Sequence, residues 1–362
     1  MASREIAVAK RPLAAFALAA VLFALVEFGL QERSVLKYGY SMLPMMEQEA
    51  TYVVDSTTGL RLLRPNGILV RNQLYIRSNS LGLRGREIAK SRSLGSVRIA
   101  VLGASAVMGV TAPDNDHTFP ALLEQRLQDR LQGADVEVIN AGISGYTLAD
   151  EQAMLEKRIA PLSPDLIILY PGNNDFGTYC QPTRWRGAPA LQGLPMLALP
   201  EWWMSDDLVL KNTEFLRRAP PAISANKDPD SMDLSSYRAK VASLIESART
   251  RRLPLMVATV ARSFRRGQPR EVQEALSSEI RSSLKCFSLD GMHRLFDRHN
   301  EILKAEALSA NVPVIELDRM IPGGSRYFSS TTHFADAGEW AAADALAAFI
   351  DKKHLLDPRL AQ

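Results

Sequence analysis

From residue 96 onward, short apolar runs alternate with amphipathic segments, and this alternation limits the fold more than any other feature of the sequence. The runs are rich in Val, Ile and Leu, as in strands buried on both faces; they cover residues 97–103, 136–142, 164–172, 255–261 and 312–318. Helical periodicity lies between and after them, over residues 118–133, 147–159, 235–252, 270–285, 291–311 and 336–350. This order predicts an α/β fold, a three-layer α/β/α sandwich around a mostly parallel five-stranded sheet.

A stretch near the N-terminus, residues 12–30, contains Glu27 as its sole charged residue. A helix of this length spans about 28 Å, close to the hydrocarbon thickness of a bilayer. Basic residues precede it, which predicts cytoplasmic residues 1–11, a transmembrane anchor over 12–30 and a chain that is extracytoplasmic after residue 30. We therefore expect a single-pass protein of the inner (cytoplasmic) membrane with a periplasmic catalytic domain. A cleaved signal peptide is the alternative, because the uninterrupted apolar run covers only residues 13–26.

The remaining segments divide the chain further. Residues 31–95 form a lead-in whose short apolar runs lie among Gly, Pro and Asn, which indicates a hairpin or irregular strands. Residues 96–355 form the main domain, interrupted at about 176–234 by a stretch rich in Pro, Trp and Arg that is too long for an ordinary connection. We interpret that stretch as an insertion, either a lid or substrate wall or a packed decoration. The two cysteines, Cys180 and Cys286, either form a disulfide or remain buried thiols.

Charge and motif content argue against several classes of function. The chain has 43 basic and 40 acidic residues and no sustained basic face, so nothing favours nucleic-acid binding. Neither cysteine has a CxxC partner or a His at metal-ligand spacing, and no GxGxxG follows the first strand. We predict no metal, no cofactor and no nucleic-acid partner.

Four residues that can carry chemistry follow the ends of predicted strands, which is where an open parallel sheet binds ligands. Ser105 follows the first strand, Gly142 ends the second, Asn174 follows the third, and His333 lies between the last strand and the last helix. A Ser hydroxyl becomes a nucleophile when a neutral His takes its proton, and backbone N–H groups or an Asn amide stabilise an oxyanion. Each residue also has an ordinary structural explanation as a cap, turn, loop or solvated residue. His117 is the second candidate for the base.

In this order, Ser105, Gly142, Asn174 and His333 resemble the four blocks of the SGNH (GDSL) hydrolase superfamily. The sequence GNND at 172–175 is the most specific piece. The resemblance implies an SGNH/flavodoxin-like fold, with Ser105 as nucleophile and His333 as general base. It also implies an oxyanion hole formed by the N–H groups of Ser105 and Gly142 and the side chain of Asn174.

The resemblance extends over about residues 75–350. Upstream of the catalytic block, NSLGLRGRE at 79–87 is similar to a segment of many bacterial members. Two positions depart from the family pattern. The first block reads Gly-Ala-Ser, with Ala104 where the family has Asp.

The second departure concerns the partner of the base. The Asp that lies three positions before the His in the family is Ser330 here, and that Asp normally orients the imidazole. Ser330 accepts a hydrogen bond but carries no charge. Asp336, three residues after His333, is a weaker candidate for the orienting group, because with Glu339 it matches a capping box for the last helix.

Three hypotheses of function follow. In the first, the protein is an esterase or deacylase that cleaves a small acyl ester outside the cytoplasm. In the second, the same residues make it an O-acyltransferase or deacetylase of a cell-surface polysaccharide, with an acylated glycan as substrate. In the third, it is a catalytically inactive binding protein that keeps the SGNH fold; the residues at 104 and 330 are its only support.

Overall fold

The computed structural model describes residues 2–48, 50–71, 74–89, 95–131, 135–180, 200, 202–205, 208 and 227–356. It separates into two compact units. The first unit comprises residues 1–51, 68–73 and 186–220, and the second comprises residues 52–67, 74–185 and 221–362. Most of the predicted insertion at 176–234 lies outside the described residues, and so does its Trp185.

The strands, in chain order, are β1 (Tyr52–Val54), β2 (Arg61–Leu63), β3 (Ile68–Arg71), β4 (Leu74–Arg77), β5 (Ser96–Gly103), β6 (Asp135–Gly142), β7 (Leu166–Tyr170), β8 (Leu255–Ala258) and β9 (Val314–Ile315). The α-helices are α1 (Ala2–Tyr38), α2 (Ser105–Met108), α3 (Phe119–Arg130), α4 (Leu148–Met154), α5 (Ser235–Thr250), α6 (Arg270–Leu276), α7 (Ser278–Ser283), α8 (Leu289–Ser309), α9 (Leu317–Met320) and α10 (Asp336–Lys352).

The second unit is built on a five-stranded parallel sheet with the order β6-β5-β7-β8-β9, which confirms the predicted fold class. Every residue of β5 and β7 is buried, as their continuous apolar sequences require. Gly103 pairs with both Gly142 and Tyr170, so β5, β6 and β7 end at the same level. This register brings the loops after the three strands to one edge of the sheet.

The core of the second unit fills both faces of that sheet. Along β5, Ile99 and Val101 belong to the apolar cluster on one face, while Ala100 and Leu102 belong to the cluster on the other. Helices α3 and α10 pack against each other within the first cluster, and α4, α5 and α8 contribute to the second. The three layers follow from the alternation of side chains along each strand.

Two elements differ in extent from the prediction. The strand predicted at 312–318 is paired only over Val314–Ile315, because the chain then turns into α9. Asp318 in that turn is held by Thr259, whose hydroxyl lies 2.5 Å from Oδ1 and accepts the Asp318 N–H. The helix predicted at 270–285 is two helices that break at Ser277, whose hydroxyl donates to the carbonyl of Gln273 at 2.7 Å.

In the lead-in, β1 and β2 form an antiparallel pair, consistent with the predicted hairpin.

In the first unit, α1 continues eight residues beyond the predicted segment, to Tyr38. By length and composition, its part from Ala14 to Lys37 is apolar enough to cross a membrane, with a mean hydropathy of 2.0. The large apolar side chains from Phe16 to Phe28 along this helix are mostly exposed. Such a surface suits contact with lipid rather than water.

The polar residues of α1 are nevertheless buried and paired within the first unit. Glu27 accepts the N–H groups of Met204 at 2.7 Å and of Ser205 at 3.0 Å. One turn later, Gln31 donates to Glu27 at 2.7 Å and accepts the N–H of Met42 at 2.8 Å. This end of the helix is thus hydrogen-bonded to segments far along the chain.

Candidate active site

Ser105 is placed by a tight turn at the end of β5. Ala104 leaves the strand with φ −104° and ψ −141°, and Ser105 is the first residue of α2. A Cβ at Gly103 would lie 2.3 Å from both the carbonyl oxygen of Tyr170 and Cγ2 of Val107, so the turn requires glycine there. The N–H groups at the start of α2 have no acceptor within the helix. The hydroxyl and the N–H of Ser105 thus both lie at the carboxyl edge of the sheet.

His333 meets Ser105 at this edge, although 228 positions separate the two residues. Its Nε2 lies 2.8 Å from Ser105 Oγ, and its Nδ1 lies 2.7 Å from Ser330 Oγ. Burial lowers the pKa of His333, while the negative charge of Glu279 acts in the opposite direction. A lowered pKa keeps the imidazole neutral at neutral pH, as a general base must be.

Ser330 therefore orients the imidazole through Nδ1, the ring nitrogen that does not contact Ser105. It occupies the position where the family pattern has Asp. In the tautomer that allows Nε2 to accept a proton, Nδ1 carries its hydrogen and donates it to Ser330 Oγ. The loop that carries both residues is closed by the N–H of Ser329, which donates to the carbonyl of His333 at 2.9 Å. The second ring nitrogen is thus fixed by a neutral hydroxyl.

Asp336 does not take part in this arrangement. It begins α10 after Ala335, which caps the helix without a side-chain hydrogen bond, and its charge raises the pKa of His117. The predicted capping box is wrong because Glu339 turns into the core, where Oε2 accepts the N–H of Phe119 at 2.7 Å. Burial raises the pKa of Glu339 to about 8.

His117, the second candidate for the base, lies half exposed at the surface. Its Nδ1 is 2.6 Å from Asp114 Oδ1, and this hydrogen bond raises the pKa of His117. The side chain that contacts Ser105 is His333 instead.

Gly142 lies behind α2, and its N–H is engaged. It donates to Asn140 Oδ1 at 3.1 Å, and a Cβ at this position would lie 2.2 Å from the N of Met108. The missing side chain thus lets α2 pack on β6, and in this geometry Gly142 is not a free donor. Gly145 follows with φ +87° in a turn that sequence reasoning passed over.

Asn174 connects that turn to the loop after β7. Its Nδ2 donates to the carbonyl of Tyr146 at 2.8 Å, which leaves one amide hydrogen for a ligand. Gly172 permits the approach, since a Cβ there would lie 2.6 Å from Cβ of Ala104. Asn173 Oδ1 accepts the hydroxyl of Thr332, next to His333. Three of the four predicted residues, Ser105, Asn174 and His333, therefore border one site.

Two buried ionisable residues form hydrogen bonds that hold the loop after β7. The sequence does not single them out, because each lies in an ordinary helix or loop. Glu151 is fully buried and accepts the N–H of Gly172 at 3.4 Å; burial, followed by the charge of Asp175, raises its pKa well above the usual range. Asp175 accepts the N–H of Leu148 at 3.0 Å and pairs with Lys240 at 2.7 Å.

A cavity of about 220 Å³ opens beside Ser105 and His333. Its walls also contain Asn173, Asn174, Phe176, Gly177, Glu279, Ile280, Ser283, Leu284, Thr331 and Thr332. The part of the chain that the structure describes contains no group of three or more His, Cys, Asp or Glu able to hold a metal ion. Among the residues that line the cavity, His333 and Glu279 are the two with ionisable acidic or basic side chains.

A disulfide between Cys180 and Cys286 lies next to the cavity, with a Cα–Cα distance of 5.4 Å. Gly177 and Leu284 line the cavity. Cys180 lies three positions after Gly177, and Cys286 lies two positions after Leu284. The bond thus ties together two segments that form the cavity, and it decides between the two predicted states of the cysteines.

Comparison with known proteins identifies the family. The model of the GDSL-like Lipase/Acylhydrolase family matches residues 101–341 of the chain. Among solved structures, the chain is similar to a lipase/acylhydrolase from Enterococcus faecalis, with 16% identity over 72% of this chain and 98% of that one and a TM-score of 0.43. It is also similar to an acetylxylan esterase from Geobacillus stearothermophilus, with 15% identity over 72% and 96% and a TM-score of 0.44.

A third structure, a GDSL-like lipase from Bacteroides thetaiotaomicron, shares 15% identity over 74% of this chain and 91% of that one, with a TM-score of 0.40. No curated protein matches the chain. The family match covers more than half of the chain and includes Ser105, Asn174 and His333. The chain belongs to the GDSL-like lipase/acylhydrolase family, whose members act on ester bonds.

Proposed function

We propose that the protein is a serine esterase or deacylase that cleaves a small acyl ester outside the cytoplasm through Ser105 and His333. The observation that carries this proposal is the 2.8 Å contact between Ser105 Oγ and His333 Nε2 beside a substrate-sized opening. A nucleophile and a base within hydrogen-bond reach, with a third group orienting the base, are what acyl transfer to serine requires.

The reaction has two halves. Ser105 Oγ attacks the ester carbonyl while His333 Nε2 takes its proton, and the oxyanion accepts hydrogen bonds from the Ser105 N–H and the remaining Asn174 amide hydrogen. The tetrahedral intermediate collapses as His333 returns the proton to the departing alcohol, leaving an acyl-enzyme. Water, deprotonated by His333, then releases the acid and regenerates Ser105. Throughout, Ser330 accepts the Nδ1 hydrogen.

The third oxyanion donor is a backbone N–H at the end of β6 or in the turn that follows it. Gly142, the last residue of β6, fills this role only if its N–H leaves Asn140 when substrate binds. Gly145, in the turn after β6, lies beside Tyr146, the residue that Asn174 contacts, and is the alternative donor.

The size of the cavity favours a small acyl group, because about 220 Å³ is below the usual range for drug-sized ligands. The alcohol portion of the ester then extends toward solvent, as an acylated glycan can. Tryptophan rings often stack on sugars, but Trp203 packs on Phe23 at 4.9 Å between ring centroids and Trp202 packs on Trp203 at 5.9 Å, so neither supports a glycan site. Hydrolysis is therefore the function we favour over transfer to a glycan.

We also propose that α1 remains attached as a single-pass anchor in the cytoplasmic membrane. Cleavage after the apolar segment would remove Glu27 and leave the N–H groups of Met204 and Ser205 without their acceptor. The disulfide is a further argument, because such bonds persist in oxidising compartments outside the cytoplasm. An N-terminal epitope tag that stays with the membrane-bound protein supports the anchor, and its loss from the mature protein contradicts it.

A fluorophosphonate probe tests the esterase proposal. Purified wild-type protein should be labelled covalently, Ser105→Ala should not, and wild type should hydrolyse p-nitrophenyl acetate. Addition of a carbohydrate acceptor distinguishes transfer from hydrolysis, since a transferase forms an acylated sugar at the expense of free acid. Absence of both labelling and hydrolysis in folded wild-type protein would establish the inactive binding protein instead.

A further inference from the structure

Arg84 lies in the middle of the segment NSLGLRGRE and is almost completely buried, with 1% of its surface exposed. Its guanidinium uses all five of its hydrogens. They go to Asn115 Oδ1 at 3.1 Å and to the backbone carbonyls of Met108 at 3.1 Å, Gly109 at 2.5 Å, Ala112 at 3.2 Å and Asp114. Every acceptor belongs to residues 108–115, which we call the support loop.

The rest of the segment holds Arg84 in this position. Asn79 Oδ1 accepts the N–H groups of Leu81 at 3.0 Å and Leu83 at 3.1 Å, and Asn79 Nδ2 donates to the carbonyl of Arg86. Gly82 has φ +72°, and a Cβ there would lie 2.5 Å from a neighbouring carbonyl oxygen. The turn that these residues form places the side chain of Arg84 in the protein interior.

The support loop is the continuation of the nucleophile helix. Helix α2 contains only four residues, and its last carbonyl, that of Met108, is one of the Arg84 acceptors. The carbonyl of Ser105 itself accepts the N–H groups of Gly109 and Val110. At the other side, the hydroxyl of Thr111 donates to the carbonyl of Phe334 at 2.6 Å, next to the base. The loop thus contacts Ser105 itself and Phe334, the residue that follows His333.

We propose that Arg84 is a positioning residue for the reaction, whose guanidinium fixes the support loop and thereby the distance between Ser105 Oγ and His333 Nε2. This inference rests on the proposed function. A four-residue helix cannot hold its own orientation by helical hydrogen bonds alone. The five hydrogen bonds from one rigid planar group supply the constraint that the helix lacks.

The chemistry of the site requires arginine. The ammonium of a lysine has three donors on one atom, so at least two of the five acceptors would lose their partner, and the fork geometry would be lost. The charge is maintained at neutral pH: burial lowers the pKa of Arg84 to about 10, and Glu339, Asp114 and Asp116 oppose that effect. Glu339 lies on α10, so that helix contributes to the environment of the guanidinium.

The test compares Arg84→Lys with Arg86→Lys, a matched control in the same segment. Arg86 is half exposed and pairs with Glu124 rather than with the support loop. We expect Arg84→Lys to lower kcat for p-nitrophenyl acetate at least tenfold and to slow fluorophosphonate labelling equally, with KM within twofold of wild type. Because lysine keeps the positive charge and Glu279, the charge that acts on His333, is unchanged, the acid limb of the pH profile should not move. Arg86→Lys should stay within twofold of wild type in all of these.

Rates are measured at least 20 °C below the melting temperature of each variant and are expressed per site titrated by the probe. A lower melting temperature with unchanged kcat per titrated site would assign Arg84 a purely structural role and overturn the proposal. If Arg84→Lys does not fold, Asn115→Ala removes one of the five acceptors, together with the two hydrogen bonds of the Asn115 amide to the backbone of Arg77. It should lower kcat in the same sense by a smaller factor, and unchanged kcat there also overturns the proposal. An unlabelled, inactive wild type refutes the proposed function instead, before either variant is compared.

Discussion

The hydrogen bond between Ser330 and His333 gives the sharpest prediction for this site. When Ser105 attacks, His333 becomes an imidazolium, and its Nδ1 hydrogen points at Ser330 Oγ, 2.7 Å away. Ser330→Ala removes that acceptor from a buried, charged group. A hydrogen bond to a charged group contributes about 1.5–3 kcal/mol. The loss in kcat/KM should therefore be about 10- to 150-fold.

This loss is smaller than the roughly 10⁴-fold fall in kcat that follows when the Asp of a Ser-His-Asp triad is replaced by Asn, because that change also holds the imidazole in the wrong tautomer. Alanine at position 330 offers Nδ1 no hydrogen and therefore does not impose that tautomer. Ser330→Asp should act in the opposite direction. A full charge about 4 Å from the imidazolium is worth at most about 4 kcal/mol at an effective dielectric of 20, and desolvation of the new carboxylate reduces this. We expect a gain of about tenfold in kcat/KM.

The pH dependence provides a second readout of the same substitution. The acid limb of kcat/KM reports protonation of His333 in the free enzyme. In wild type, burial lowers the pKa of His333, so we expect activity to persist as the pH falls. The carboxylate of Ser330→Asp favours the charged form and raises that pKa, which moves the acid limb to higher pH. Ser330→Ala leaves no new charge and should change the height of the profile more than its position.

The assay is hydrolysis of p-nitrophenyl acetate from pH 5 to 9, with Ser329→Ala as the matched control. Ser329 is adjacent, but its hydroxyl donates to the carbonyl of Phe334 rather than to the ring. If Ser330→Ala matches Ser329→Ala in kcat/KM, the hydrogen bond does not assist the reaction and the reasoning fails. An acid limb that stays in place in Ser330→Asp would equally show that position 330 is not coupled to the base.

Three further predictions concern other parts of the site. Asn174→Ala should lower kcat about 10²–10³-fold with little change in KM, because the amide acts on the oxyanion of the transition state; equal losses in kcat and in 1/KM would argue against that role. Glu279→Gln should move the acid limb of kcat/KM to lower pH, because the charge of Glu279 raises the pKa of His333; a shift to higher pH contradicts this. Replacing Cys180 and Cys286 together by Ser should lower the free energy of unfolding in urea by about 2–5 kcal/mol, since the bond spans 106 positions, and a loss under 1 kcal/mol would refute the estimate.

The sequence predicts the positions of Ser105 and Asn174 because strand ends are local features. A continuous apolar run identifies a buried parallel strand, and the residue after it lies at the ligand-binding edge wherever the strands share a level. The register of Gly103 with Gly142 and Tyr170 provides that common level. The sheet, its helices and two of its site residues therefore follow from patterns that a single sequence contains.

Contacts across the chain do not follow in the same way. The direction of the Gly142 N–H depends on Asn140, two residues earlier, and on the close approach of α2, neither of which has a sequence signal. Glu339 matches a capping motif but is drawn to the N-terminus of α3, more than 200 positions away. The extent of β9 likewise depends on Thr259 of the preceding strand region. The errors in the capping box and in the length of β9 arise where a tertiary contact overrides a local preference.

Each of the two departures from the family pattern removes a carboxylate. The resemblance implies a carboxylate at position 104 and another at position 330, and this chain has Ala104 and Ser330 instead. Ala104 is buried against the Gly172 turn, where an ionised side chain would need a partner. With neither carboxylate, burial dominates the pKa of His333, and Glu279 is left as the opposing charge. We expect such an imidazole to stay neutral to lower pH but to stabilise its own protonated form less well. The proposed reaction should therefore extend to lower pH, while its maximal rate should depend on the hydrogen bond from Nδ1 to Ser330.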